Sequence, residues 1–188
     1  MRHFRAANRN RARAAGFTLL ETMIALIVLA VGVLGLAAML ADALSYMAAS
    51  QDDFIAQQKA EEAVESIFTA KYNGNITWNQ VANYSSVSAP LGLFLTGPQP
   101  LLQPGPDGLV GSVNDTGATP DYIIYPGPDG KLGTADDVQL PLSNFTRTIT
   151  ITNFATDANL RTINVQVNYN NGRINRTYSL TTLISAFD

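Results

Sequence analysis

A single carboxylate, Glu21, stands at the entrance of a long apolar stretch. The twenty residues that follow it, 22–41, include no charged side chain. Such a run is long enough to cross the hydrocarbon core of a bilayer as a helix. A charge inside a membrane segment costs on the order of 3 kcal/mol on insertion scales, so it usually has a partner or a function. Glu21 is therefore the first residue whose chemistry needs an explanation.

Two interpretations of Glu21 follow from the residues around it. Cleavage of the chain after Gly16 would create a new α-amino group on Phe17, four residues before Glu21. In a bundle of such helices, the carboxylate of one subunit could pair with the amine of another, and a helix N-terminus also favours a negative charge. Alternatively, Glu21 caps the first helical turn and reaches towards the lipid headgroups. The residues alone leave both interpretations open.

The charge distribution predicts how the chain lies in a membrane. Residues 1–16 form a basic leader with five arginines: Arg2, Arg5, Arg9, Arg11 and Arg13. Positive charge marks the cytoplasmic side, so the remainder is predicted to lie outside. Residues 17–188 carry seven basic and fifteen acidic residues, a formal net charge of −8, which argues against a nucleic-acid partner. A signal peptide cut near Ala41-Asp42-Ala43 is the competing interpretation, and it leaves the Gly16-Phe17 junction unexplained.

The run Gly16-Phe17-Thr18-Leu19-Leu20-Glu21 and the apolar residues behind it resemble the processing motif of type IV prepilins and type II secretion pseudopilins. The resemblance implies that a prepilin peptidase cuts after Gly16 and that Phe17 is then methylated at its new amino group. It implies that Glu21 helps to set the register between subunits. The run 31–37 resembles the minor pilins called PilV, or type IV pilus modification proteins.

The resemblance also implies a location and a set of partners. The chain would insert once into a bacterial inner membrane, with its head domain in the periplasm, and later enter a pilus outside the cell. Its partners would be prepilin peptidase, an inner-membrane assembly platform, membrane lipid, and other pilins packed along the N-terminal helix. The implied function is that of a minor pilin in a type IV pilus or its priming tip complex, assisting assembly or adhesion. Open alternatives are a type II secretion pseudopilin, a major pilin, and a membrane-tethered enzyme or binding domain that never polymerises.

One long helix is predicted from about Thr18 to Lys71, and Asn73-Gly74-Asn75 is a good stop signal. Its first part, 17–41, is apolar on all sides and forms the membrane and assembly half. Its second part, 42–72, repeats apolar residues at helical spacing and needs a domain to cover them. Gly32 and Gly35 in the first part permit either close helix packing or local softening.

The head domain, 73–188, is predicted to have two regions. The first, 73–142, is rich in loops and contains all nine prolines of the chain. The second, 143–188, alternates polar and apolar residues at 146–152 and 162–169 and has an Asn171-Gly172 hairpin signal. These features predict an α+β fold in which the second half of the helix packs on an antiparallel sheet of three or more strands. The pilin resemblance implies the same arrangement, a ladle with a loop-rich insert.

An internal repeat lies in the loop-rich region. Residues 101–115 align with 123–137 at an offset of 22, and both copies contain Pro-Gly-Pro-Asp-Gly. Asp-Gly is a strong turn former, and clustered carboxylates in a Gly-rich loop can supply oxygen ligands for Ca²⁺. The second copy is similar to the calcium loop of major type II pseudopilins, which implies that Asp129, Asp136 and Asp137 bind Ca²⁺. The alternative is a pair of solvated turns with acidic tips.

The composition excludes several kinds of catalytic site. The chain has no cysteine, and its one histidine, His3, lies in the leader. The mature part therefore lacks the residues for a zinc site of the usual type, a cysteine nucleophile or a Ser-His-Asp triad. We expect a structural protein rather than an enzyme, with no cofactor other than the candidate calcium.

Overall fold

The structure is a computed structural model that describes residues 16–86, 92–115, 119–170 and 175–187. The chain divides into two compact units, Met1–Tyr46 and Met47–Asp188. A single helix, α1, covers Leu19–Tyr72 and so contributes residues to both units. The long helix predicted from the sequence is confirmed to within one residue at each end.

The part of α1 that belongs to the first unit is uncovered by the rest of the described chain. Phe17, just before the helix, is 81% exposed, and Leu34 in the middle of the apolar run is 69% exposed. None of its most apolar 18-residue stretch is buried. By length and composition this segment can cross a membrane. The helix is continuous through Gly32 and Gly35, and a Cβ atom at either position would meet nothing within 4 Å.

The second unit contains six strands among its described residues. Four of them form one antiparallel sheet in the order β1-β4-β5-β6, and the other two, β2 and β3, form a separate hairpin. The strand bounds are β1 Gln99–Pro100, β2 Tyr122–Tyr125, β3 Val138–Pro141, β4 Phe145–Phe154, β5 Asp157–Asn170 and β6 Asn175–Ser185. Two short 3₁₀ turns lie at Trp78–Gln80 and Val113–Asp115. The predicted α+β architecture is confirmed.

The sheet register confirms the alternation seen in the sequence. Strand β4 pairs with β5 from Phe145–Tyr169 onwards, with one irregularity near Phe154. Strand β5 pairs with β6 from Asn170–Asn175 to Leu160–Ser185 without any shift. Ile, Val and Tyr side chains therefore fall on the face towards α1, while Thr, Asn, Gln and Ser side chains fill most of the opposite face. The predicted Asn171-Gly172 turn lies outside the described residues.

The core forms where α1 lies on the sheet, and the helix contributes mainly small side chains. Ala56, Ala60 and Ala63 are fully buried. They belong to one buried cluster with the inward residues of β4 and β5 and with three residues of the loop-rich region: Phe94, Leu109 and Val110. Small side chains let a helix approach its neighbour closely, so the fit between α1 and the sheet leaves little room for added atoms.

One side chain closes the outer edge of β4 beyond the two-residue strand β1. The Asn83 Nδ2 donates a hydrogen bond to the carbonyl of Ile149 at 2.7 Å, and the N–H of Ile151 donates to Asn83 Oδ1 at 2.7 Å. The amide thus satisfies one acceptor and one donor that a neighbouring strand would otherwise use. This edge of the sheet is closed by specific residues.

Substitution Ala63→Leu tests the close contact between α1 and the sheet. We expect the free energy of unfolding of the second unit to fall by about 1–3 kcal/mol, because overpacking forces strained side chains. Urea unfolding of the full chain in detergent, followed by the fluorescence of the single tryptophan Trp78, measures this change. The exposed Gln57→Leu is the matched control and should change stability by less than about 0.5 kcal/mol. Equal effects of the two substitutions would contradict the packing described.

Candidate functional site

Thr18 fixes the start of α1. Its Oγ1 accepts a hydrogen bond from the N–H of Glu21 at 3.2 Å, and its carbonyl accepts one from the N–H of Thr22 at 3.1 Å. Thr18 followed three residues later by Glu21 matches the capping-box pattern. Sequence reasoning had assigned the cap to Glu21 as one alternative and had missed Thr18, although the Thr-x-x-Glu spacing was the available signal.

Gly16 and Phe17 lie just before the helix and are exposed to solvent. A Cβ atom at Gly16 would meet nothing within 4 Å, and Gly16 is not among the glycines with positive φ. The fold therefore has no steric or conformational need for glycine at this position. Among the described residues, none covers the Phe17 ring. A requirement for Gly16-Phe17 would come from a molecule that recognises the junction.

Glu21 is exposed on the first turn of α1, beside apolar neighbours. Within the described residues, its carboxylate makes no hydrogen bond or salt bridge. The N–H of Thr18, which a glutamate at this position could cap, is not bonded to it. The helix N-terminus gives it a favourable field but no counter-charge. In an apolar environment, a compensating positive charge for Glu21 would have to come from another molecule.

The two copies of the internal repeat share one backbone geometry. In the first, the N–H groups of Gly111 and Ser112 donate to Asp115 Oδ2 at 2.5 and 3.1 Å. In the second, the N–H groups of Gly133 and Thr134 donate to Asp137 Oδ2 at 2.6 and 3.2 Å. The 22-residue offset relates each of these residues to its counterpart. The sequence repeat is therefore also a structural repeat.

Matching glycines close both turns. Gly108 and Gly130 have φ of 73° and 70°, and each donates its N–H to the carbonyl three residues earlier, at 3.0 and 2.9 Å. Gly111 and Gly133, three residues later, have φ of 75° and 88°. These backbone conformations strain other L residues, so the repeated Asp-Gly and the later Gly are explained by turn geometry.

The two copies differ in burial. In the first, Leu109 and Val110 are fully buried and Asp115 is only 3% exposed. In the second, Lys131 and Leu132 at the matching positions are exposed. The first copy therefore belongs to the core of the second unit, and the second copy lies on its surface.

A buried set of charges surrounds the first copy. Arg147 of β4 is only 3% exposed. Burial lowers the pKa of its guanidinium, while the nearby carboxylates of Glu62, Asp115 and Asp121 act in the opposite direction. Lys59 of α1 forms an ion pair with Asp121 at 2.6 Å. These charges connect α1, β4 and two loops, which indicates a structural role.

The three candidate calcium ligands already accept hydrogen bonds from their own loop. Asp129 Oδ1 accepts the N–H of Lys131 at 2.8 Å, and Asp136 Oδ1 accepts the Thr134 hydroxyl at 2.7 Å. Hydrogen bonds also lower the pKa of Asp136, chiefly that from Thr134. Across the described part of the chain, no three or more His, Cys, Asp or Glu side chains form a group that could hold a metal ion. The oxygen chemistry suits Ca²⁺, but the arrangement shown does not form a ligand set, so calcium binding stays a prediction.

Comparison with known proteins adds one finding at the N-terminus. The family described as the prokaryotic N-terminal methylation motif matches residues 11–37, a segment that contains Gly16, Phe17 and Glu21. Neither a curated protein nor a solved structure matches the chain. The motif supports a place among type IV prepilins and pseudopilins. Together with the uncovered apolar helix, it indicates a membrane-anchored, pilin-like structural protein that is processed by prepilin peptidase.

Asp115→Asn tests the effect of burying a carboxylate in the first repeat copy. Burial raises the pKa of Asp115 above its ordinary 3.8, although the N–H groups of Gly111 and Ser112 oppose the shift. A carboxyl whose folded pKa is raised contributes stability at low pH that is lost as the pH rises through that pKa. Between about pH 4 and pH 7, the variant should therefore lose less unfolding free energy than the parent protein.

Urea unfolding at a series of pH values measures this difference for the full chain. Asp137→Asn is the matched control, because it has the same place and the same backbone hydrogen bonds in the exposed copy. Its change in unfolding free energy shows what replacing the carboxylate costs where the same backbone hydrogen bonds are made. A difference in stability between Asp115→Asn and the parent protein that stays constant with pH would contradict the raised pKa of Asp115.

Proposed function

We propose that the protein is a type IV minor pilin. Prepilin peptidase removes residues 1–16, the new N-terminus at Phe17 is methylated, and the mature chain enters a pilus or its priming tip complex. One observation carries the proposal: the methylation motif at 11–37 includes the start of a helix whose apolar side chains are not covered by the described residues of their own chain. Packing against the same segment of other subunits would provide that cover once the helix leaves the membrane.

Glu21 has a specific part in this proposal. Removal of the leader places an α-amino group on Phe17, one helical turn from a carboxylate that has no partner within the described chain. Pairing between the amine of one subunit and Glu21 of its neighbour would compensate both charges inside an apolar bundle. Because every other charge is absent from 22–41, only one axial offset between neighbouring helices satisfies this pair. The pair would therefore select the register of assembly.

The minor-pilin assignment, and PilV as its subtype, is supported by two features of the sequence. The run 31–37 is similar to that of PilV-type pilins, and the absence of cysteine differs from the many major pilins that carry a disulfide. A type II secretion pseudopilin is the second candidate, favoured by the similarity of the loop 127–137 to a pseudopilin calcium loop. In either machine the protein would act through contacts with other subunits.

Substitution Glu21→Gln tests the assembly role. We expect membrane insertion and a mature N-terminus at Phe17 to be retained, while incorporation into sheared pili falls by at least about tenfold, which corresponds to roughly 1.4 kcal/mol per added subunit. Immunoblots of the pilus and membrane fractions measure incorporation, and N-terminal sequencing checks processing. Asp42→Asn is the matched control on the same helix and should assemble normally. Normal assembly of the Glu21 variant, or an N-terminus other than Phe17, would contradict the proposal.

Calcium binding by Asp129, Asp136 and Asp137 has its own test. If this loop binds Ca²⁺, replacing about 5 mM Ca²⁺ by a chelator should lower the melting temperature of the second unit, because extracellular sites of this type have millimolar affinities. The double variant Asp129→Asn/Asp137→Asn should then melt at one temperature in both conditions. An unchanged melting temperature of the parent protein would reject the calcium site and leave the pilin assignment intact.

A further inference from the structure

The two edges of the four-stranded sheet differ in what covers them. On the β4 side, the edge is covered by β1, whose second residue is Pro100, and then by the Asn83 amide. Proline and very short strands are devices that prevent further strand pairing. On the other side, β6 has β5 as its single hydrogen-bonded strand neighbour within the described residues. One edge is closed by β1 and Asn83, and the other is left open by the residues that the structure describes.

The open edge lacks most of the features that usually protect such strands. Strand β6 is eleven residues long, pairs with β5 without a bulge, and contains neither proline nor lysine. Its single charged residue, Arg176, lies near its start and is held by Asp53 of α1 at 2.8 Å. Threonine, tyrosine, leucine and isoleucine supply most of the strand, and these residues favour β pairing. The edge therefore presents a long row of backbone donors and acceptors to the outside.

The side chains beside this edge are incompletely covered. On the helix-facing side of β6, Tyr178 and Leu180 are only partly buried, although both pack against the core. On α1, Val64 and Phe68 are likewise only partly buried against the same core. Asp53–Arg176 lies near one end of this seam between α1 and β6. The Lys71 Nζ, which donates to the Phe187 carbonyl at 3.3 Å, lies near the other.

We propose that the open edge of β6 binds an extended strand from a different protein chain, which adds a fifth strand to the sheet. The added strand would take up the outward backbone groups of β6 through main-chain hydrogen bonds, which give affinity. Its residues on the helix side would cover Tyr178 and Leu180 and complete the seam. This contact lies in the second unit and goes beyond the proposed helix assembly.

A second copy of this chain fits the edge poorly. Its β4 edge is closed, so it would have to offer its own β6 in antiparallel, twofold pairing. In the second unit, α1 and β6 run in the same direction, because Asp53 contacts Arg176 near the start of β6 and Lys71 contacts Phe187 after its end. A twofold pair would place the two Met47 residues at opposite ends of the dimer. The two chains would therefore run on towards their N-terminal segments from opposite ends of the pair, an arrangement that does not suit two copies anchored in one membrane.

The chemistry of β6 defines the strand that it would accept. The outward residues Thr177, Ser179 and Thr181 are uncharged, and the Arg176 guanidinium is already paired with Asp53. A matching strand is uncharged, places apolar side chains opposite Tyr178 and Leu180, and places hydroxyl or amide side chains on the other side. About seven residues would span most of the edge at ~3.4 Å per residue.

A labelled seven-residue peptide of alternating threonine and valine is the probe. We expect saturable binding to the full chain in detergent, measured by fluorescence anisotropy. Ser179→Lys should weaken binding at least about tenfold, because an edge lysine opposes strand addition. The matched control Gln166→Lys lies directly opposite Ser179 on the central strand β5 and should bind within about twofold of the parent protein. A peptide N-methylated at every residue should not bind, because it lacks the main-chain donors on both of its edges.

Three results would overturn the inference: no binding by the parent protein, equal binding by Ser179→Lys, or equal binding of the N-methylated peptide. The absence of cysteine allows a further measurement with single-cysteine variants in membranes. Thr181→Cys and the control Thr150→Cys occupy the same row of the sheet, on β6 and β4. Self-disulfides specific to Thr181→Cys would assign the edge to a second copy instead. Peptide binding should be unchanged in Glu21→Gln, so failure here and failure of the proposed function are distinguishable.

Discussion

The second unit depends on the close approach of α1 to the sheet, made possible by its buried alanines. Ala56, Ala60 and Ala63 each place only a methyl group on the face of the helix that meets the sheet. Branched residues of β4 and β5 can therefore reach the helix surface, and the buried loop residues Phe94 and Leu109 close the remaining sides. The described residues of the first unit have no such cover, so their apolar side chains need a different apolar environment. The two parts of α1 thus differ in their surroundings: the second packs on the sheet and the first does not. The helix is continuous from one part to the other.

The sequence was sufficient to predict the elements whose signals are local. The second half of α1 follows from the interval 36–73, which has neither proline nor glycine, and β4 and β5 follow from alternation at period two. It was insufficient for contacts between distant residues. Asn83 bonds β4 residues 66 and 68 positions later, and an asparagine in a loop gives no sign of such a partner. The short strands β1, β2 and β3 could not be predicted from the sequence for the same reason, since their pairing depends on where the loops are held.

The candidate sites likewise divide into features that the sequence predicts and features that only the structure shows. Gly16, Phe17 and Glu21 belong to one contiguous motif, so their order alone suggested processing, and the Thr-x-x-Glu spacing was likewise a visible signal for the Thr18 cap. The repeat was visible as a repeat, and its glycines indicated turns. Its ligand chemistry depends on where the carboxylates point, which residue type does not fix. The difference in burial between the two copies was not predicted from the sequence either. The same turn residues flank the buried pair Leu109-Val110 in one copy and the exposed pair Lys131-Leu132 in the other.

The self-contained closure of the second repeat copy has a practical consequence. The turn is held by its own aspartates and glycines, and the tip at Lys131-Leu132 projects no side chain into the core. A foreign epitope spliced between these two residues would leave the ladder of the main sheet and the alanine contact untouched. The equivalent point between Leu109 and Val110 in the buried copy would not tolerate the same graft. The molecule thus has one exposed turn that is suited to an insertion. The equivalent turn 22 residues earlier is buried and is not suited to one.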